Sequence, residues 1–252
     1  SECPCVFARA GRLLTGGTLG QYLGIQPGML PMATGPVSDD NQGEVIDAHD
    51  ATRSPTERWR TLPSSELLRL SKDVASGLHC LHTNGIVHRD VKHANVMLEH
   101  GATPKAKLCD FGISTLKNAV EGQNVPSFSS MGTPRYQAPE MTQLMNRMAT
   151  AKVPGRVAEI IYEPSVDIYS FGLLLYEIMH GVQAFGDLSP LAAMLRAADG
   201  ARPTIALRPE HAPFAAVIEA CWDADAHRRP TIATVVEVHR TLEAGEKILC
   251  FS

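Results

Sequence analysis

The sequence predicts a mainly α-helical domain with small β elements. Apolar residues recur at three- and four-residue steps in five separate stretches after residue 62. Short apolar or alternating segments surround a polar cluster between residues 86 and 109, as expected of a small β-turn system. With 44% apolar residues, the 252-residue chain has ample material for a buried core.

In chain order, Cys5-Val6-Phe7-Ala8 predicts a short strand, Gly16-Gly17 a turn, and Thr18 to Leu23 the start of a helix. Residues 24–61 carry Pro27, Pro31, Pro36, Pro55 and the run Ser38-Asp39-Asp40 without any period, which predicts a disordered insertion. Pro63-Ser64-Ser65 then opens a helix with Leu67, Leu70, Val74, Leu78 and Leu81 on one buried face, stopping at Asn84-Gly85. Ile86-Val87, Val96-Met97-Leu98 and Lys105 to Cys109 are strand-like. Ser165 to His180, Leu188 to Ala198, Pro213 to Trp222 and Pro230 to Glu243 read as helices, and Gly245 stops the last.

A formal net charge of −4 gives no basic field for holding nucleic acid or an anionic membrane, so phosphate handling has to be local. The six cysteines form no disulfide or zinc framework and fit reduced thiols in an intracellular, cytoplasmic protein. Phe171 to Tyr176, flanked by Asp167 and Glu177, is too short to span a bilayer. The chain starts at Ser1 without signal-peptide character, and an upstream segment is expected; attachment to a membrane through it stays open.

The polar cluster reads His88-Arg89-Asp90-Val91-Lys92-His93-Ala94-Asn95, followed by Val96-Met97-Leu98. It resembles the catalytic loop of eukaryotic protein kinases. The chemistry explains the spacing. A hydroxyl attacking a γ-phosphate has to be aimed and deprotonated, a task for Asp90. Asn95 offers an amide oxygen to Mg²⁺, and Lys92 neutralises charge on the transferred group. Asp110-Phe111-Gly112, fifteen residues after Asn95, matches the family's second motif, in which the Asp chelates the Mg²⁺ that bridges the ATP phosphates. Gly132-Thr133 and Ala138-Pro139-Glu140 close a stretch resembling an activation segment, with Thr133 positioning Asp90 and Lys92.

Further roles are implied by the same resemblance. Glu140 is expected to be buried and paired with Arg229, and Asp167 to be the buried helix carboxylate that holds the catalytic loop's backbone, with His88 and Arg89 in structural support. Met97 would supply the floor of the adenine site. Arg89 marks kinases ordered by phosphorylation, with Ser127, Ser129 and Ser130 as the favoured acceptors. Lys92, two residues after Asp90, points to serine and threonine rather than tyrosine acceptors. Cys221-Trp222-Asp223 up to Arg229-Pro230-Thr231 resembles the tyrosine-kinase-like branch, which mainly modifies serine and threonine.

The resemblance implies a protein-kinase-like C-terminal lobe, a truncated α+β kinase fold. Residues 1–14 would be the last small-lobe strand and hinge, 15–244 the large lobe and 245–252 a tail. No Gly-x-Gly-x-x-Gly loop and no Val-Ala-x-Lys strand precede the catalytic loop, so weak ATP binding and little activity are expected of this chain alone. The leading expectation is a serine/threonine kinase using ATP and Mg²⁺ on protein substrates. The alternative is a pseudokinase-like scaffold, and a third class, a hydrolase using Asp90 and Asp110 on a metal, lacks a supporting His or Glu constellation.

Overall fold

A computed structural model describes residues 17–25, 62–99, 101, 103–110, 115–116, 132–150 and 163–245. The strand expected at Cys5 to Ala8, nearly all of the 24–61 insertion, and the tail beyond Gly245 lie outside the described residues.

Helix α1 (Leu19–Leu23) is a single short turn with both ends sealed. Thr18 and Gln21 form a reciprocal capping box, and Gly24 closes the helix in the left-handed conformation that glycine adopts without penalty. Helix α2 (Ser64–Thr83) follows the predicted span, and Leu67, Leu70, Val74 and Leu78 are fully buried. Each such side chain contributes about 1.5–3 kcal/mol by leaving water. It ends where Asn84 caps the last carbonyls and Gly85 turns at φ +71°.

Two small antiparallel ladders follow. Strand β1 (Ile86–Val87) pairs with β4 (Thr115–Leu116), which the sequence reading did not anticipate. A two-residue strand carries too little periodicity to be seen. Strands β2 (Val96–Glu99) and β3 (Lys105–Leu108) pair with Val96 opposite Leu108 and Met97 opposite Lys107. An isolated bridge from Thr18 to Met97 and a bond from Leu98 N to Gly17 O (3.0 Å) tie α1 to this hairpin.

The helical layer comprises α3 (Pro139–Thr150), α4 (Ser165–His180), α5 (Pro190–Ala198), α6 (Phe214–Cys221) and α7 (Ile232–Glu243). Helix α4 is buried on every side from Val166 to His180, as befits an element apolar all round. It packs on α6 and α2, while α2 packs on α7 and β3. Gly172 lets α4 approach α6, since a Cβ there would lie 2.9 Å from that of Cys221. Helix α3 runs on through Thr150, and residues 151–162 lie outside the described set. Among the described residues no helix is long and apolar enough to cross a membrane.

Candidate active site

The β2–β3 ladder determines where two of the predicted residues sit. Because Val96 faces Leu108, the residues just beyond the ladder, Asn95 and Cys109, are also neighbours, and Cys109 N donates to Asn95 O at 2.9 Å. Asp110 follows immediately, exposed, with its backbone at φ +69°. Asn95 and Asp110 therefore share one open end of the hairpin.

Asn95 is buried, and its Nδ2 donates at 2.8 Å both to the Asp90 carbonyl and to Asp90 Oδ2. Both partners only accept, so the amide orientation is fixed and Oδ1 is the end turned away from Asp90. An amide oxygen and a carboxylate at one hairpin end are hard donors of the kind that suits Mg²⁺.

Asp90 is 8% exposed and fully engaged. Its Oδ1 accepts from Thr133 N (2.9 Å) and Thr133 Oγ1 (2.7 Å), and its Oδ2 from Lys92 Nζ (2.7 Å) as well as Asn95. Lys92 Nζ also reaches Thr133 Oγ1 at 2.5 Å. Burial pushes the Asp90 carboxyl up, but the bonds from Lys92, Thr133 and Asn95 and the lysine charge outweigh it, leaving it below the usual value. The group is an ionised, oriented acceptor at neutral pH.

The loop that presents Asp90 is held from beneath. Asp167, fully buried near the start of α4, accepts from His88 N (2.8 Å), Arg89 N (2.7 Å) and His82 Nε2 (2.8 Å). Arg89 lies at φ +69°, a strained position for a side-chain-bearing residue that these bonds maintain. His88 Nε2 lies 3.1 Å from Cys109 O, and its Nδ1 accepts from Asp90 N at 3.3 Å. One neutral tautomer satisfies both contacts, and burial lowers the pKa of His88 despite the nearby Asp167 charge. Gly132 sits against the loop at φ +82°, where a Cβ would fall 2.3 Å from Arg89 O.

The structure brings together Asp90, Lys92, Asn95 and Thr133 as expected, with His88, Arg89 and Asp167 in support. Met97 is half-buried beneath the Gly17–Thr18 crossing. Arg229 pairs with Glu140 through two bonds of 2.7 Å, but the expected burial of Glu140 is corrected. The Glu140 side chain is 32% exposed, and the fully buried member is Arg229, which also donates to Asp223 O (2.8 Å) and Ser165 O (2.9 Å). A guanidinium with five donors can saturate itself on carbonyls in the interior, so the carboxylate need not follow it. Phe111, Gly112, Ser127, Ser129 and Ser130 lie outside the described residues.

Five contributors escaped the sequence reading. His82 braces Asp167, and Arg135 is buried on the carbonyls of Ala184, Phe185 and Leu188. His93 and Tyr136 converge on Glu177, a carboxylate at 0% exposure. The one available signal was Glu177 itself, a charge inside the apolar run of α4, which read only as the edge of that run.

A buried carboxylate held by a lysine and an asparagine, with a second carboxylate just beyond the adjoining hairpin, is a donor set that suits phosphoryl transfer. Sequence comparison agrees: residues 43–239 match the protein kinase domain family, and the chain belongs to it. Among its relatives in Arabidopsis thaliana is serine/threonine-protein kinase VIK, 30% identical over 179 residues, covering 70% of this chain and 37% of that protein. Serine/threonine/tyrosine-protein kinase HT1 is 31% identical over 71% of this chain and 40% of its own length. Serine/threonine-protein kinase CTR1 is 32% identical over 69% of this chain and 19% of its own. The chain thus spans well under half the length of these relatives. Protein kinases of this family generally use ATP and Mg²⁺.

Proposed function

We propose that these residues are the catalytic lobe of a protein serine/threonine kinase that moves the γ-phosphoryl group of ATP to a serine or threonine hydroxyl. The observation that carries this is the four-way engagement of Asp90 by Lys92, Thr133 and Asn95. The acceptor O–H aligns on Asp90, its oxygen bonds to the γ-phosphorus, the bond from that phosphorus to the bridging oxygen breaks, and ADP leaves. The proton passes to Asp90 late and then to solvent, since an acid held below its usual value is a weak base and serves first to orient. Lys92, poised between Asp90 and Thr133, offsets charge on the group in flight. Asn95 Oδ1 and the Asp110 carboxylate would hold Mg²⁺, which when bound neutralises the nucleotide phosphates.

The full-length native protein should phosphorylate a generic serine/threonine substrate with MgATP, and Asp90→Asn should lose about 10²-fold or more in kcat. Equal activity in the two proteins removes Asp90 from its role. No activity in the native protein favours the scaffold alternative.

A further inference from the structure

Glu177 is the one fully buried carboxylate of α4 that the phosphoryl-transfer reading leaves without work. Its oxygens accept from His93 Nδ1 (2.8 Å), from Tyr136 Oη (2.8 and 3.0 Å) and from Ala184 N (3.0 Å). These donors come from three separate segments. His93 stands between Lys92 and Asn95, in a 3₁₀ turn (His93–Asn95). Tyr136 ends a second 3₁₀ turn (Pro134–Tyr136) that begins directly after Thr133. Ala184 belongs to the loop after α4, which Arg135 also grips through its carbonyls. Burying an ion in a helix interior costs several kcal/mol unless its lone pairs are filled, and an apolar residue would serve the packing as well. Here two of the three donor residues, His93 and Tyr136, lie on the turns that adjoin Lys92, Asn95 and Thr133.

We propose that His93 and Glu177 form a positioning unit that sets Asn95 and Thr133 relative to Asp90; the proposal rests on the kinase reading of that site. Asn95 and Thr133 reach Asp90 from opposite sides, one on each carboxylate oxygen. Glu177 connects the two turns that carry them, through His93 on one side and Tyr136 on the other. The His93 ring and the Tyr136 ring meet edge-on with centroids 6.1 Å apart, which closes the triangle. The unit extends to α1, because the His93 ring fills the space that a side chain at Gly20 would need: a Cβ there would lie 2.4 Å from His93 Cδ2. A carboxylate only accepts, so His93 carries its proton on Nδ1, and Tyr136, kept neutral chiefly by burial and then by the Glu177 charge, donates to the same group.

The test uses two variants at each end of the pair in the full-length protein. The His93 side chain is 18% exposed, so His93→Ala should fold, while His93→Asn places an amide N–H where Nδ1 stood. With His93→Ala, hydrogen exchange should rise at least ~10-fold in residues 91–95 and 132–137 but not in residues 64–83, because only the local opening cost falls. kcat should drop about 10- to 100-fold, with KM for ATP within about 3-fold, as a misplacement near 1 Å would give. His93→Asn should restore both readouts to within about 3-fold of native. Glu177→Gln can re-form the bonds if His93 changes tautomer, whereas Glu177→Met cannot, so the same contrast is expected there. Unchanged exchange in the two turns in His93→Ala overturns the proposal, as does a uniform rise across the whole protein, which would mark a merely structural residue. An inactive native protein whose two turns still loosen together upholds the coupling and defeats only the kinase reading.

Discussion

Replacing Asp167 with asparagine removes one acceptor from a site that needs two. In the native protein Oδ1 takes the Arg89 amide and Oδ2 takes the His88 amide and His82 Nε2, all within 2.8 Å, at a residue with no exposure. An asparagine has a single acceptor oxygen. If its NH₂ lies at the Oδ2 place it confronts His88 N–H, and if at the Oδ1 place it confronts Arg89 N–H. His82 can adapt by changing tautomer, but a backbone amide cannot. One orphaned buried amide costs about 1–3 kcal/mol, and the surviving bonds lose their charge assistance, about 1 kcal/mol more. The expected loss is therefore about 2–4 kcal/mol, or a fall in Tm of about 5–15 °C for a domain of this size. Arg89 would also relax from its left-handed conformation, displacing Asp90, so kcat should fall about 10- to 100-fold at temperatures where the variant stays folded. Thermal melts and steady-state assays beside Asp187→Asn, an exposed change expected within about 0.5 kcal/mol, would check both numbers. A Tm within 2 °C of native would refute the assignment of Asp167 as the anchor of the loop.

Other expectations follow from the same geometry. Burial holds His180 and His239 at pKa values of about 4, against about 6.5 in the unfolded chain. Both are thus neutral in the fold, and between pH 6.5 and 4 the unfolded state binds more protons. Their contribution is complete above pH 6.5 and declines as pH falls, by about 2 kcal/mol each at pH 5. Urea melts from pH 7.5 to 5 should show that slope; a flat or rising stability over this range would contradict it. Arg229→Lys cannot reproduce the fork on Glu140 or the bonds to Asp223 and Ser165, and should cost about 2–4 kcal/mol by calorimetry, whereas an effect below about 1 kcal/mol would make the pair incidental. Gly132→Ala should destabilise by about 1–3 kcal/mol and lower kcat, because its methyl group collides with Arg89 O beside Asp90; a native-like kcat would show that the crossing can open.

Much of the site was legible because its signals are local. Asp90, Lys92 and Asn95 lie within six residues, and the turn that gathers them is encoded by that short stretch and the strand after it. Helix α2 was legible for the same reason, since its buried face repeats along the chain and its ends carry Pro63 and Asn84-Gly85. Strand β4 was too short to leave a period, and the exposure of Glu140 depended on how far Arg229 could satisfy itself elsewhere.

By itself, the sequence determined the helical character, the buried stripes and the identities of the groups gathered around Asp90, because periodicity and residue chemistry are properties of neighbours along the chain. Only the tertiary structure decided the partners of Glu177, and it was the family resemblance, not any local pattern, that implied those of Asp167 and Arg229. Asp167 reaches back to His88 and Arg89 across more than seventy residues, Arg229 to Glu140 across eighty-nine, and Glu177 to His93 across eighty-four. A buried charge announces that it must be satisfied, but which donors meet it depends on how the helices pack. In this protein α4, apolar on all sides, brings both Asp167 and Glu177 against the loop that carries Asp90.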